Sequence, residues 1–164
     1  MFILKFFVVF LCSIVYNQPI NIILKAVAML TVKDIRSYYP AKIEYNEHNI
    51  IRANIALDFM WEERCKERGQ AYSGDRSGSC KFAALLSRNL FGGRLAGNDE
   101  HIFTMTDSEL IDLNIVQRDV IDLNHLAHVR FDHVLTNKDY RSALTSCIPR
   151  VEKWEKWLLE RINN

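Results

Sequence analysis

The amino-acid sequence predicts one domain of the α+β class over residues 29–164. Three observations support this: apolar residues recur with helical spacing in the N-terminal half, two short segments near the middle alternate between apolar and polar residues, and the last segment is long and amphipathic. With 49% hydrophobic residues among 164, the chain suffices for one packed core. We expect N-terminal helices and a cysteine-bearing helix to pack on a small antiparallel β-sheet, closed by a long C-terminal helix.

Residues 1–28 form an apolar leader ahead of this domain. Met1–Leu24 has a single charged residue, Lys5. Phe6–Tyr16 resembles the apolar core of a signal peptide, and Ala26–Ala28 resembles a cleavage site made of small residues. The leader therefore indicates either a targeting segment or sequence upstream of the natural start.

Three interpretations of the leader stay open. Asn17–Pro19 interrupts the apolar run, which is awkward for a spanning helix and long for one signal peptide. A natural start at Met29, which we favour, predicts a cytoplasmic protein. A cleaved signal predicts a secreted or periplasmic protein, and membrane contact is expected only if residues 1–28 are retained as an anchor.

Two helices are predicted before the cysteine-bearing helix. Thr31–Asp34 matches a capping box that starts a short helix, and Pro40 ends it. Asn46–Arg68 is predicted as a long helix that ends at Gly69. Its predicted apolar face consists of Ile50, Ile51, Ile55, Phe59, Met60, Trp61 and Cys65. We interpret Cys65 as a structural residue of this helix.

Cys80 opens the next predicted helix. The apolar segment Lys81–Phe91 follows it and ends at Gly92–Gly93, a typical helix terminator. Ser77 and Ser79 are the candidate N-caps. A cysteine in the first turn of a helix lies at the positive end of the helix dipole, which favours the thiolate, the nucleophilic form of the side chain.

A β-hairpin is predicted after this helix. Glu100–Met105 and Glu109–Asn114 alternate between apolar and polar residues. With a two-residue loop at Asp107–Ser108, His101 and Asp112 become diagonal neighbours on one face of the hairpin. A register shift of one residue would send them to opposite faces, so the loop length decides whether they can meet.

These side chains suggest nucleophilic catalysis. Cys80 would be the nucleophile, His101 the general base and then acid, and Asp112 the group that orients the imidazole. Asn114 is a fallback for the orienting group. Asp122 is a rival acid, because the tetrapeptide around Asp112 recurs unchanged ten residues later.

The order of these residues resembles that in transglutaminase-like and papain-like cysteine enzymes, and more closely that in the bacterial YunG-like proteins. The YunG-like pattern runs G-x-C, an apolar helix, G-G, H-x-W and I-D-L-T. The matching segments, within residues 75–120, are Gly78–Cys80, Gly92–Gly93, His101–Phe103 and Ile111–Asn114. The resemblance implies a papain/transglutaminase-like core and a hydrolase or acyltransferase such as a thiol protease, amidase, deamidase or transglutaminase.

Two departures from this pattern concern the site. Phe103 stands where the family has Trp, and Ser79 stands where Gln often precedes the cysteine. That Gln supports the oxyanion in papain-like enzymes. The backbone N–H of Cys80 is one possible oxyanion donor here, and Gln70 and Tyr72 are candidates for a second.

The region between the hairpin and the last helix is rich in histidine. His125, His128 and His133 cluster with Asp122 and Asp132, but their spacing matches no known ligand motif. We therefore expect a solvated loop, no metal site and no cofactor. The four cysteines form no C-x-x-C pair, which argues against a zinc ribbon.

The last predicted helix covers Asp139–Ile162, with Pro149 near a helix start or a kink. Its predicted core-facing residues are Leu144, Ile148, Val151, Trp154, Leu158 and Ile162, widened by Trp157. The net charge of +1 gives no electrostatic argument for nucleic-acid binding. The expected partner is a protein or small amide or ester substrate, and the alternative function is a non-catalytic interaction module on the same scaffold.

Overall fold

The computed structural model describes residues 28–162, so the interpretations of the leader lie almost wholly outside the described residues. This part of the chain has the expected mixed α+β architecture, with six α-helices and one three-stranded antiparallel sheet. The helices are α1 (Val32–Arg36), α2 (Glu47–Glu67), α3 (Cys80–Phe91), α4 (Arg118–Leu123), α5 (Asp132–Leu135) and α6 (Lys138–Ile162). The strands are β1 (Arg94–Gly97), β2 (Ile102–Met105) and β3 (Leu110–Ile111). No helix within residues 28–162 combines the length and the apolar character needed to cross a lipid bilayer.

The N-terminal helices begin where the sequence predicts. At the start of α1, the Asp34 N–H donates to Thr31 Oγ1 at 3.1 Å and the Thr31 N–H donates to Asp34 Oδ2 at 2.7 Å, which completes the capping box. At the start of α2, Asn46 Oδ1 accepts from the Asn49 N–H at 2.9 Å. Side chains thus satisfy backbone donors that have no partner inside the helix.

The predicted core face of α2 is partly wrong. Ile51, Ile55 and Phe59 are each more than half exposed. The buried face instead includes Ala53 and Ala56, whose small side chains let the helix approach the core closely. The other buried residues of α2 are Leu57, Met60, Trp61 and Cys65. Three large apolar side chains therefore form an exposed stripe on α2.

Helix α3 occupies the middle of the core. The Phe82 ring lies 5.6 Å from that of Trp61 in α2 and 5.4 Å from that of Trp154 in α6, measured between centroids. The opposite side of α3 packs on β2, where Thr104 Oγ1 donates to the Ala84 carbonyl at 2.9 Å. Helix α3 is thus held between the two long helices and the sheet.

The hairpin has the predicted register. Thr104 pairs with Ile111, and the Thr106 N–H donates to the Glu109 carbonyl at 2.9 Å. The loop is therefore the two residues Asp107–Ser108. This confirms the pairing that makes His101 and Asp112 diagonal neighbours.

Strand β1 was not predicted. Three of its four residues are buried, so the strand lacks the apolar–polar alternation of the hairpin. It pairs antiparallel with β2, with Gly97 opposite Ile102. A Cβ atom at Gly97 would collide with the backbone carbonyl of His101. The glycine thus allows β1 to pass close beside the candidate base.

Helix α6 closes the core, as expected. Leu144, Val151, Trp154 and Leu158 are buried, and Ile148 and Ile162 are partly buried against the same core. Trp157 does not widen this face, because its ring is about one-third exposed and stacks under the Arg161 guanidinium at 3.7 Å. Pro149 lies inside the helix.

Candidate active site

Cys80 is the first residue of α3, as predicted, but neither candidate serine caps the helix. Ser79 holds the N-cap position with φ −88° and ψ 2°, whereas a capping side chain needs extended backbone to reach the first turn. The Ser79 hydroxyl instead accepts from Asn114 Nδ2 at 2.7 Å. The Ser77 hydroxyl donates to Asp75 Oδ2 at 2.7 Å. Side chains outside α3 therefore hold the segment that leads to the thiol.

His101 and Asp112 are in direct contact. His101 Nε2 lies 2.8 Å from Asp112 Oδ2, and the two side chains are only 1% and 2% exposed. The second carboxylate oxygen, Oδ1, accepts from the Asn114 N–H at 2.8 Å. The carboxylate is therefore fixed at both oxygens and can fix the imidazole in turn.

The imidazole of His101 also interacts with Cys80. Burial by itself lowers the pKa of His101, whereas hydrogen bonds with Asp112 and Cys80 and their negative charges raise it, with a net result of about 9. His101 Nε2 contacts Asp112, which leaves Nδ1 as the second hydrogen-bonding nitrogen of the ring. The histidine thus links the cysteine to the carboxylate.

Asp112 is ionised at neutral pH. Burial raises the pKa of this carboxyl group, but hydrogen bonds from His101, His128 and the Asn114 backbone, together with the charge of His101, lower it below its ordinary value. A buried carboxylate that accepts three hydrogen bonds is stable as the anion. It is therefore suited to stabilise a protonated imidazole.

His128 joins this cluster, contrary to the predicted solvated loop. His128 Nε2 lies 2.7 Å from Asp112 Oδ2, the oxygen that His101 also contacts. Its ring packs edge-on against Phe103, with 5.0 Å between centroids. His125 and His133 are exposed, as expected. Sequence spacing carried no signal for this contact, because His128 lies 16 residues from Asp112 and belongs to no helix or strand.

The two other acids of the predicted loop have different positions. Asp122 is exposed on α4, where it faces Arg118 at 4.0 Å, so it does not orient His101. Asp132 accepts from Arg94 Nη1 at 2.9 Å and from the Gly97 N–H at 3.2 Å. Asp132 therefore anchors the start of α5 to β1 and is not part of a solvated cluster.

The two candidate oxyanion donors, Gln70 and Tyr72, line a pocket beside the segment that leads to Cys80. The Tyr72 hydroxyl donates to Asp58 Oδ1 at 2.9 Å. Burial, and to a smaller extent the Asp58 carboxylate, raise the pKa of Tyr72 to about 12. Gln70 is exposed. Both line a pocket of about 440 Å³ that extends to Gly78, two residues before Cys80. Tyr72 is thus disfavoured as an oxyanion donor, and the pocket is a candidate surface for substrate.

Arg76 is a buried anchor that sequence analysis missed. Its guanidinium donates to Asp58 Oδ1 at 2.6 Å, to the Leu113 carbonyl at 2.6 Å and to Asn54 Oδ1 at 2.8 Å. Its backbone N–H donates to Gln117 Oε1 at 2.6 Å. Arg76 therefore ties the segment before Cys80 both to α2 and to the chain that follows Asp112.

Tyr140 of α6 is a second residue that sequence analysis missed. Its hydroxyl is buried and has no hydrogen-bond partner among residues 28–162. The Lys81 ammonium lies 5.0 Å from the centre of its ring. Burial raises the pKa of Tyr140, and negative charge on Cys80 raises it further. An unpaired donor therefore lies near the candidate nucleophile.

Three side chains of the site also form a possible metal-ligand group. One nitrogen each of His101 and His128 and one oxygen of Asp112 all lie within 4.8 Å of one another. Imidazole and carboxylate are common ligands of zinc and iron. The prediction of no metal site considered only the spacing of His125, His128 and His133 with Asp122 and Asp132, and it therefore left out His101.

Comparisons of the chain with protein-family models, with curated proteins and with solved structures found no match. The resemblance to the YunG-like proteins thus stays a prediction from the sequence motifs.

Proposed function

We propose that the protein is a cysteine-dependent acyl-transfer enzyme or amide hydrolase with a papain/transglutaminase-like core. One observation carries this proposal: His101 pairs with the buried carboxylate of Asp112 at 2.8 Å, and a hydrogen bond with Cys80 contributes to the raised pKa of the same imidazole. The nucleophile starts a helix, while the histidine and the acid lie on adjacent chain segments of the hairpin. That is the order of elements which the sequence resemblance implies.

In the first half-reaction the Cys80 sulfur forms a bond to the substrate carbonyl carbon. The carbonyl π electrons move to oxygen, and the resulting tetrahedral intermediate collapses with cleavage of the bond to the leaving amine or alcohol. The leaving group takes the proton held by His101. The product is a thioester on Cys80, with neutral His101 beside it.

In the second half-reaction an acceptor attacks the thioester. His101 removes the proton of the acceptor, which is water in hydrolysis or deamidation and an amine in transfer, and returns it to the Cys80 sulfur as the thioester breaks. Asp112 holds the imidazole in one orientation and stabilises its protonated form. Hydrolysis and transfer therefore use the same residues and differ only in the acceptor.

We propose two donors for the oxyanion. The Cys80 N–H belongs to the first turn of α3 and has no partner inside the helix. The Tyr140 hydroxyl is buried without a partner within the described residues, and its ring lies 5.0 Å from the ammonium of Lys81, the residue that follows Cys80. We propose Tyr140 in place of Gln70 and Tyr72 as the second donor.

The test compares the reactivity of three thiols. Cys65, Cys80 and Cys147 are 8%, 9% and 5% exposed, so similar access makes the first and the last internal controls for activation. We expect an iodoacetamide probe at neutral pH to label Cys80 at least about tenfold faster than the other two, because the thiolate is the reactive form. Peptide-level mass spectrometry separates these sites from Cys12.

The His101→Ala variant completes this experiment. Without the imidazole, Cys80 should label at the rate of Cys65 and Cys147. Equal labelling of the three thiols in the native protein, together with no effect of His101→Ala, would contradict the proposal that the protein is an enzyme. Transfer of an acyl group from p-nitrophenyl acetate to Cys80, detected in the same peptides, tests the thioester directly.

The alternative is a non-catalytic interaction module. It is favoured by the exposed apolar stripe of Ile51, Ile55 and Phe59 on α2, since contiguous exposed apolar residues often mark partner surfaces. This alternative predicts no thioester on Cys80. It also predicts that Ile55→Asp abolishes a protein contact and leaves thiol labelling unchanged.

A further inference from the structure

We propose that His101, Asp112 and His128 form a binding site for a zinc-type dication, and that the bound ion blocks the thiol chemistry of Cys80. Two imidazole nitrogens converge on one carboxylate oxygen, with Nε2 of His101 at 2.8 Å and Nε2 of His128 at 2.7 Å from Asp112 Oδ2. Two histidines and one acid match the donor set of many catalytic zinc and non-haem iron sites, and leave a coordination position open.

The separations suit a small cation after a minor adjustment. The three ligand atoms lie within 4.8 Å of one another. Around a tetrahedral zinc ion with bonds of about 2.0–2.1 Å, ligand atoms are about 3.3 Å apart. The two short contacts must therefore open by about half an ångström when the ion binds.

His128 is the ligand that can adjust and that opens the site to solvent. Its side chain is 27% exposed, against 1% for His101 and 2% for Asp112. It lies between the 3₁₀-helix Asn124–Leu126 and α5, outside any regular element. The other two ligands are held by the hairpin. The ion therefore enters from the side of His128.

The surroundings of the carboxylate favour coordination. Asp112 Oδ1 accepts from the Asn114 N–H at 2.8 Å, which leaves Oδ2 directed at the two histidines. A ligand fixed by such an outer hydrogen bond loses less freedom on binding metal. A dication would also compensate the charge of a buried carboxylate whose Oδ2 is now paired with two imidazole nitrogens.

Binding of the ion and acyl transfer exclude each other. A metal bound at Nε2 requires each neutral imidazole to carry its proton on Nδ1, and a protonated imidazole to release one proton to solvent. The Nδ1 atom of His101 then bears hydrogen and has no lone pair to accept the thiol proton of Cys80. This inhibition rests on the proposed function, whereas the binding itself does not.

The first test measures zinc binding by the full chain, by competition with a chromogenic chelator. The diagnostic variant is His128→Gln, because the Gln amide can still donate to Asp112 but is a poor zinc ligand. We expect an affinity loss of at least about 100-fold, beyond the 10–100-fold typical of outer-shell changes. His125→Ala and His133→Ala, which remove exposed neighbouring histidines, should bind as the native chain does.

Unchanged zinc affinity in His128→Gln would overturn the proposal, as would full loss of binding in Cys80→Ala, which would place the ion on the thiol. His128→Ala provides a second variant, and thermal melting shows that each variant is folded. Zinc should also slow iodoacetamide labelling of Cys80 in the native chain but not in His128→Gln. Failure of the enzyme proposal shows separately, as slow labelling of Cys80 without zinc.

Discussion

Arg76 lies shortly before the first residue of α3, and Arg88 lies in the last turn of the same helix. Both are almost fully buried, at 3% and 4% exposure. The three guanidinium nitrogens of Arg76 all donate hydrogen bonds, to four different residues. Arg88 donates one, from Nη2 to Asn89 Oδ1 at 3.3 Å.

The polar groups at the Arg88 end are incompletely paired. Arg88 Nε and Nη1 and the Ser87 hydroxyl have no hydrogen-bond partner among residues 28–162. The guanidinium instead stacks on the Tyr39 ring at 3.9 Å. Burial lowers the pKa of Arg88, although the nearby Tyr39, Asp34 and Glu155 raise it in part.

The difference between the two ends of α3 shows where positional order is concentrated. At the Cys80 end, directional hydrogen bonds fix Ser79, Asn114, His101 and Asp112 relative to one another. At the Arg88 end, Asn89 Nδ2 donates to Glu155 Oε2 at 3.0 Å, but the Arg88 guanidinium itself is held mainly by stacking on Tyr39. Side chains that must meet within a few tenths of an ångström need directional hydrogen bonds of the kind found at the Cys80 end.

The largest expected effect comes from Asp112→Asn. This variant keeps the side-chain shape but removes the charge that stabilises protonated His101, so kcat/KM for acyl transfer should fall by about 10³–10⁴-fold. The matched control is Asp122→Asn, which changes an exposed acid in the repeated tetrapeptide. Equal activities of the two variants would contradict the role of Asp112.

Arg76→Met should cause the next largest effect, on stability. It leaves the buried carbonyl of Leu113 and the Asn54 side chain without this donor, while Asp58 keeps the Tyr72 hydroxyl, so the free energy of unfolding should fall by about 2–4 kcal/mol. Urea denaturation of the full chain measures this change. A loss below about 1 kcal/mol would mean that the hydrogen bonds of Arg76 do not hold the Cys80 end together.

Tyr140→Phe removes only the unpaired hydroxyl near Cys80. Loss of one oxyanion donor should lower kcat/KM by about 10²-fold, while alkylation of Cys80, which forms no oxyanion, stays unchanged. The control is Tyr72→Phe, whose hydroxyl is held by Asp58. A larger loss of activity in Tyr72→Phe than in Tyr140→Phe would reverse the assignment.

The pH profile should show the raised pKa of His101. Above about 9, kcat/KM for an amide should fall about tenfold per pH unit, because unprotonated His101 cannot protonate the leaving amine. The reaction of Cys80 with iodoacetamide needs only the thiolate and should not fall. If the rates of amide turnover and of Cys80 alkylation both fell above about pH 9, the assignment of His101 as the proton donor would be contradicted.

The stability of the fold should also depend on the protonation of His101. Because the folded state raises the pKa of His101 from 6.5 to about 9, protonated His101 stabilises the fold fully below pH 6.5, and this stabilisation is lost as pH rises to about 9. The melting temperature of His101→Gln should depend less on pH over that interval.

Arg88→Met should have the smallest effect. Replacing a poorly paired buried charge with an apolar side chain of similar length is often neutral or stabilising, so the free energy of unfolding should drop by no more than about 1 kcal/mol. Acyl transfer should be unchanged. A loss as large as that of Arg76→Met would show that the stacking on Tyr39 stabilises this end as strongly as hydrogen bonds stabilise the other.

Burial of helix faces was predictable only in part. The stripe of α6 from Leu144 to Leu158 is buried as its spacing predicts, whereas Ile55 and Phe59 of α2 are exposed. Helical spacing shows that a face is apolar, but it does not show which face meets the core. On α2 the face that carries Ala53 and Ala56 is buried, and the face with the larger side chains is exposed.

Local signals determined the starts of α1 and α2, the position of Cys80 and the hairpin register that joins His101 to Asp112. Each of these depends on hydrogen bonds or steric limits among residues close together in the chain. Only the tertiary structure decided that His128 shares Asp112, that Arg76 bridges two segments and that Tyr140 lies near the thiol. Such contacts join distant residues, and they follow from the path of the whole chain around its core, which no short segment encodes.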